Sequence, residues 1–350
     1  MKVDCWIAVK HLLLHENQLM RFPMIRYSPS IYEIATCVLV ILGQNANGQI
    51  RPFGTHDSGL SQVVGISLSK DQQILAIFGG SSGAGKEANQ GEVVLLNSAS
   101  MKKIANSSGH KSTFTSLAFS EDDSQIATGA NDGSVTLWKV KGLQSIITLE
   151  GHSHAVRAVF FIGQDSLCTV STDSLRIWDV KTKKSKVVVA EINEIFVVAV
   201  RVPKSQLILI GLRTGEMRLV ELGDLSLSKT KIERVHRKVV GKVATNPDQK
   251  SLATADGEGK IVLWDYSDWS PTQTLSNGQD DIRCVNYDNT GQLLVTGSEH
   301  ANVDIWHVQS GKHLLLLDGH KAPITGAVFL SKNEVLSSDA VGKMIRWKLP

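Results

Sequence analysis

Most of the features that announce a function are missing from this chain. Its 350 residues hold only four cysteines, Cys5, Cys37, Cys168 and Cys284, with no C-x-x-C and no metal-ligand spacing. That excludes a cysteine-zinc site and a disulfide framework, and it predicts buried free thiols in a reducing compartment. Long apolar runs are absent too: the longest, Ile34 to Leu42, is far too short to span a bilayer. The first residues lack the charged, apolar, small order of a secretory leader, so an intracellular, cytoplasmic or nuclear protein is expected. Charge of one sign is scarce. A net charge of +3 gives no whole-chain argument for nucleic acid, which would enter only indirectly. No Cys, His and Asp share a loop position, so no catalytic set, cofactor or metal is expected. What remains is 42% apolar and 20% charged, the composition of a soluble globular chain, whose length alone suggests two or three domains.

What is present is a repeat. Residues 109 to 140 open with Gly109-His110 and continue through an apolar alternation at Phe114, Leu117 and Phe119. A polar turn, a short apolar run at Ile126 and Ala127, a tight Asn131-Asp132-Gly133 turn and a run ending in Leu137-Trp138 follow. Period-2 alternation punctuated by Asp and Gly predicts three antiparallel strands. Positions equivalent to Trp138 recur at Leu96, Trp178, Val220, Trp264, Trp306 and Trp347, with successive spacings of 42, 40, 42, 44, 42 and 41 residues. A histidine follows 14 residues after Leu96, Trp138 and Trp306 (His110, His152 and His320). A period of about 40–45 residues is that of a four-stranded propeller blade.

The segment, with its Gly-His, its Asp-containing turn and its terminal Trp, resembles the repeat of the WD-repeat β-propeller family. The resemblance implies an all-β, seven-bladed propeller over residues 48–350. Residues 1–47 are then an N-terminal extension or a degenerate eighth blade, since Leu42 precedes His56 by the same 14 residues. No outer strand follows Trp347, so residues around 49 to 53 are expected to pair with 343–347 and close the ring. A structural relay is expected in two blades, from His110, Thr128, Asp132 and Trp138 and from His152, Thr169, Asp173 and Trp178. Substitution at the aligned positions breaks it elsewhere: Glu258 and Val341 stand in the Asp column of blades five and seven, and Gly278 and His300 in the His and Asp columns of blade six.

Gly80 to Lys86 fits the G-x-x-x-x-G-K of a phosphate loop. However, Glu87 follows where a Ser or Thr should hold magnesium, and a strand follows where a helix should begin, so it reads as a hairpin loop. The family resemblance implies a non-catalytic scaffold or adaptor, monomeric within a hetero-complex, that binds other proteins on the propeller faces and contacts no membrane. Blade three also resembles the box of substrate receptors for cullin-type ubiquitin ligases through Asp173 and Ile177-Trp178-Asp179-Val180, with Lys181 where Arg is typical. Aligning the innermost strands places Arg157 and Arg283 in one column with Thr115, Phe196, Gly241 and Thr325. Arg157, Arg283, His154, Lys238, Asp281 and Lys321 are the candidate partner-binding residues, either for a partner's carboxylate or phosphate or, for Arg283, in a pair with Asp280 or Asp281.

Overall fold

Short β-branched runs separated by Asp, Asn and Gly turns fold into strands throughout. A computed structural model describes residues 52–81, 90–189, 195–223, 226–228, 232, 234–276, 278 and 281–350, all outside helices. Strand β1 (Pro52–Asp57) comes first in the chain. Blade one is β2 (Gln62–Leu68), β3 (Ile74–Ser81), β4 (Gln90–Asn97) and β5 (Lys103–His110). Blade two is β6 (Phe114–Phe119), β7 (Gln125–Ala130), β8 (Val135–Lys139) and β9 (Gln144–Leu149). Blade three is β10 (Val156–Gly163), β11 (Ser166–Ser171), β12 (Leu175–Asp179) and β13 (Lys184–Val189). Blade four is β14 (Phe196–Arg201), β15 (Leu207–Leu212), β16 (Met217–Glu221) and the two-residue β17 (Ser226–Leu227). Blade five is β18 (Val240–Thr245), β19 (Ser251–Asp256), β20 (Ile261–Asp265) and β21 (Pro271–Leu275). Blade six is β22 (Ile282–Tyr287), β23 (Leu293–Ser298), β24 (Val303–His307) and β25 (His313–Leu317). Blade seven takes β26 (Ile324–Ser331), β27 (Glu334–Asp339) and β28 (Lys343–Lys348).

Its fourth strand is β1. The pairing runs antiparallel from Pro52↔Trp347 to Asp57↔Lys343, so the closing strand falls slightly later than its sequence expectation and carries His56 within it. Arg346 fastens this seam. Its guanidinium lies 5.1 Å over the Phe53 ring, pairs with Glu334 on β27, and donates from Nη1 to the Ala99 carbonyl of blade one at 2.9 Å. Residues 1–47 and the Gly80–Lys86 loop beyond Ser81 lie outside the described residues.

The described blades have no common centre of packing. Seven apolar clusters lie between them, one at each junction: Val135, Leu137, Val156 and Trp178 join blades two and three, and Leu60, Val63, Val328 and Met344 join seven and one. Each buried side chain of this size contributes roughly 1.5–3 kcal/mol, so stability belongs to the junctions and depends on the ring being shut. The innermost strands touch in order, β2, β6, β10, β14, β18, β22, β26 and back to β2, around a central channel. Close approach sets one residue choice: a Cβ on Gly297 of β23 would lie 2.3 Å from Ile324 of the next blade.

All seven inner strands share a β-bulge immediately after their first or second paired residue. It falls at Val64, Thr115, Arg157, Val197, Gly241, Arg283 and Thr325. In blade four the column therefore holds Val197, not Phe196. Phe196 is the paired residue before the bulge and is buried in the junction with blade three. An extra residue here re-aims its side chain out of the ladder, where a structural column meets solvent.

Candidate partner-binding face

The loops that carry the histidines and the turns between second and third strands lie on one face. Backbone bonds tie them together: Asn131 N–H to Thr113 O at 2.9 Å, Arg213 N–H to Ile195 O at 3.0 Å, Glu299 N–H to Asp281 O at 3.0 Å and Ala340 N–H to Pro323 O at 2.9 Å. Beneath them run the buried relays that hold the face in place.

In blade three, Trp178 Nε1–H donates to Thr169 Oγ1 at 2.7 Å, which lies 2.7 Å from His152 Nε2, and His152 Nδ1 lies 3.0 Å from Asp173 Oδ1. The donors fit one assignment: indole to hydroxyl, hydroxyl to Nε2, and Nδ1–H to carboxylate. Burial holds His152 below the ordinary histidine pKa, against the pull of Asp173. Burial would raise Asp173, but hydrogen bonds from the Ser153 N–H and His152 outweigh it and keep the carboxyl well below its usual range.

Blades five and seven build the same relay with an acid from another place. His236 Nδ1 lies 2.8 Å from Asp256 Oδ2 and its Nε2 2.7 Å from Thr254 Oγ1, which accepts from Trp264 Nε1 at 2.8 Å. His320 meets Asp339 at 2.8 Å and Ser337 at 2.7 Å, and Trp347 Nε1 donates to Ser337 Oγ at 2.8 Å. The acid is the last residue of the second strand, two positions after the hydroxyl residue, so neither Glu258 nor Val341 is used. The sequence carries a signal for this in a shared Asp-x-x-x-Lys. Lys260 and Lys343 donate their backbone N–H to the two carboxylates at 3.0 and 2.9 Å, and their ammonium groups to Val235 O and Gly319 O.

Blade two departs the other way. Trp138 Nε1–H reaches Thr128 Oγ1 at 2.9 Å, but His110 does not join them. Its Nε2 lies 3.0 Å from Ser134 Oγ, and Ser134 donates to Asp132 Oδ1 at 2.6 Å, so Asp132 serves its own turn. The corresponding turn of blade three is one residue shorter, which carries Asp173 to the histidine instead. Blade six has neither Gly-His nor turn Asp; its buried Asp304 pairs with His313 from the outer strand at 2.6 Å, and that ring stacks edge-on against Trp306.

On the face above, the two column arginines part company. Arg283 is clamped by Glu299 (Nε to Oε2, 2.6 Å) and by Asp281 at 3.3 Å. Arg157 is exposed and has no ion pair or hydrogen bond among the described residues. Lys238 lies 3.9 Å from Glu258, His154 Nδ1 lies 3.0 Å from Ser153 Oγ, and Lys321 is exposed in the loop before β26. Lys181, the basic residue of the blade-three box, pairs with Asp165 at 2.6 Å. Sequence alignment missed the exposed apolar residues here, Val341 at 67% and Ile195 at 40% exposure, and the half-buried Lys242 just past the blade-five bulge. No cluster of metal-ligating side chains occurs among the described residues.

The ring of seven four-stranded sheets defines a β-propeller. A family model for the WD domain, G-beta repeat, matches residues 101–139, 143–179 and 269–307, each span running from an outer strand to the third strand of the next blade. Human WD repeat-containing protein 3 is 28% identical over 192 residues, covering 51% of this chain and 20% of that protein. Drosophila melanogaster actin-interacting protein 1 is 24% identical over 273 residues, covering 66% of this chain and 45% of that one. The U3 small nucleolar RNA-associated protein 12 of Saccharomyces cerevisiae is 26% identical over 196 residues, covering 51% and 20%. The chain thus spans less than half the length of these curated relatives. With the repeat matches and the closed ring together, it belongs to the WD-repeat family as a generic member.

Proposed function

We propose that the chain is a non-catalytic interaction scaffold, an adaptor that holds partner proteins on the face bearing the histidine loops and works in the cytoplasm or nucleus. The observation that carries this reading is the exposure on that face of Val341 and Ile195 together with an exposed guanidinium, Arg157, that has no ion pair among the described residues. Apolar side chains held out of a rigid scaffold on the same face as an exposed arginine are what an interface anchor needs, and a closed ring presents them without reorganisation. Relatives whose names refer to actin interaction and to U3 small nucleolar RNA association agree with a platform role.

The test is affinity purification from cell extract with the tagged chain and with a triple variant, Arg157→Ala, Ile195→Asp and Val341→Asp. Partners recovered by the wild type should fall about tenfold with the variant, a loss of roughly 1.4 kcal/mol, while thermal midpoints stay together. A wild type that recovers no stable partner, or a variant that keeps them all, overturns the reading. Recovery of a cullin adaptor would select the substrate-receptor form of it.

A further inference from the structure

The outer strands form the rim of the ring, and each leaves a row of backbone N–H and C=O groups turned away from its own sheet. Most of these edges are blunted. β13 carries Lys184 and Lys186, β1 and β21 begin with Pro52 and Pro271, and β17 is two residues long. At the exposed mid-strand positions one residue at least is polar: Ile104 and Asn106 on β5, Ile146 and Thr148 on β9, Thr272 and Thr274 on β21. β25, the outer strand of blade six, has neither device. Its exposed pair is Leu314 and Leu316, at 45% and 42% exposure. It contains no Pro, Lys, Arg, Asp or Glu, and its one polar residue, His313, is bound to Asp304 and stacked on Trp306 within the blade.

Among the described strands β25 ends its sheet, joined to β24 alone. Leu315 and Leu317 pair with Ile305 and Val303, which direct their backbone groups toward β25 as His307 does in donating its N–H to Lys312 O at 2.9 Å. By the alternation of an antiparallel ladder, the backbone groups of Leu316 point outward. The flanks single out what could pair with them. Counted outward from Leu315, Leu314 answers Leu316, Lys312 answers Asp318 and Gly311 answers Gly319. Lys312 and Asp318 are both exposed, while His313 and Leu317, the remaining couple, are committed within their own blade. The strand is thus complementary to itself read backwards: apolar in the middle, with opposite charges at equal distances from the centre.

We propose that β25 is a self-pairing edge: it adds antiparallel to β25 of a second copy of this chain, about a two-fold axis through Leu315, and joins two rings rim to rim. In that register Leu314 and Leu316 of each copy pack against Leu316 and Leu314 of the other, and each Lys312 lies opposite Asp318 of the second copy. An unrelated strand would need a base, an apolar centre and an acid at the same spacings, which this chain supplies itself. β25 climbs from the turn after β24 to the loop carrying His320, so an antiparallel partner is inverted. The two histidine-loop faces then look to opposite sides, and both stay open to other proteins. A single strand pair is a small interface, so the dimer forms at about micromolar concentration and is not obligate.

The test is sedimentation velocity of the full chain over about 1 to 100 µM, where the wild type should pass from monomer to dimer. The double variant Leu314→Lys with Leu316→Lys should stay monomeric throughout, with an unchanged thermal midpoint, since both side chains are exposed. Lys312→Asp alone sets two pairs of acids together in the dimer, and Asp318→Lys alone two pairs of bases, so each should weaken association at least about tenfold. Mixing the two single variants restores both opposite-charge pairs, and the mixture should associate as the wild type does. A wild type that remains monomeric at the top of the range overturns the proposal, as does a dimer that survives both leucine substitutions. Single variants that stay weak when mixed overturn it too, because they exclude this register. Loss of the dimer leaves the purification with Arg157, Ile195 and Val341 untouched, so failure here and failure of the docking face are read separately.

Discussion

Blade two and blade seven trade places between sequence and structure. Blade two carries all four signature residues, yet His110 turns away from Thr128 to Ser134. Blade seven lacks the turn aspartate, yet His320 is held between Asp339 and Ser337 in a buried chain that ends on Trp347. The difference is made by two residues outside the signature. Ser134 gives Asp132 a nearer partner, and Asp339 offers a carboxylate from the strand end, where a rigid ladder and the Lys343 N–H hold it. A relay is therefore a matter of which acid can reach the ring, and turn length and local competitors decide that.

The widest separation should come from removing the two acids. Asp339 is 1% exposed, and Asp339→Ala leaves His320 Nδ1–H buried without an acceptor, at about 1–3 kcal/mol. Asp132→Ala releases only a turn at the surface, and its cost should stay under about 1 kcal/mol. Urea midpoints of the two variants against the wild type measure the contrast; equal shifts would remove it. Trp138→Phe and Trp306→Phe should cost about the same, because each indole donates to one threonine, at 2.9 and 3.0 Å.

Acid should act on the same division. His152 and His320 are held below the ordinary histidine value, chiefly by burial, so the unfolded chain binds protons that the folded chain refuses. Stability from these two rings is complete above the unfolded value near 6.5 and is lost as pH falls from there toward the folded values, at up to roughly 1.4 kcal/mol per pH unit for each ring. Midpoints between pH 7.5 and 5 should fall for the wild type, and they should fall less steeply for His320→Phe than for the wild type.

How much of this was legible follows from how far each feature reaches along the chain. The blade count is carried by apolar periodicity, a local signal, and the closing strand by the fit of residues 52–57 to the free edge of β28. Trp138, Trp178, Trp264, Trp306 and Trp347 each donate to the hydroxyl residue of the second strand, as their spacing implies. The acids of blades five and seven were not legible from the turn column, because Asp256 and Asp339 stand two residues earlier and only the three-dimensional distance to the ring identifies them. Arg283 and Arg157 are equivalent in alignment. Glu299, from the turn 16 residues on, separates them, and an inner-strand alignment does not contain it.

The finest test of the comparison is the protonation of one ring nitrogen. In blades three, five and seven the hydroxyl has accepted the indole N–H and gives its own proton to Nε2, so His152, His236 and His320 carry hydrogen on Nδ1 and none on Nε2. In blade two Ser134 spends its proton on Asp132 at 2.6 Å, so it takes one from His110 Nε2, and Nδ1 then accepts the Ser112 N–H at 3.2 Å instead of donating to the Ser112 carbonyl 2.9 Å away. Long-range proton–nitrogen correlation spectra of labelled protein at pH 7.5 should show His110 with Nε2 protonated and the other three with it bare. Ser134→Ala removes the acceptor for that hydrogen at a cost of about 0.5–1.5 kcal/mol, the smallest of these effects, and should move the His110 nitrogen signals while leaving the other three in place. A His110 spectrum that already matches His320 in the wild type would mean that blade two closes its relay in solution, and that Ser134 does not divert it.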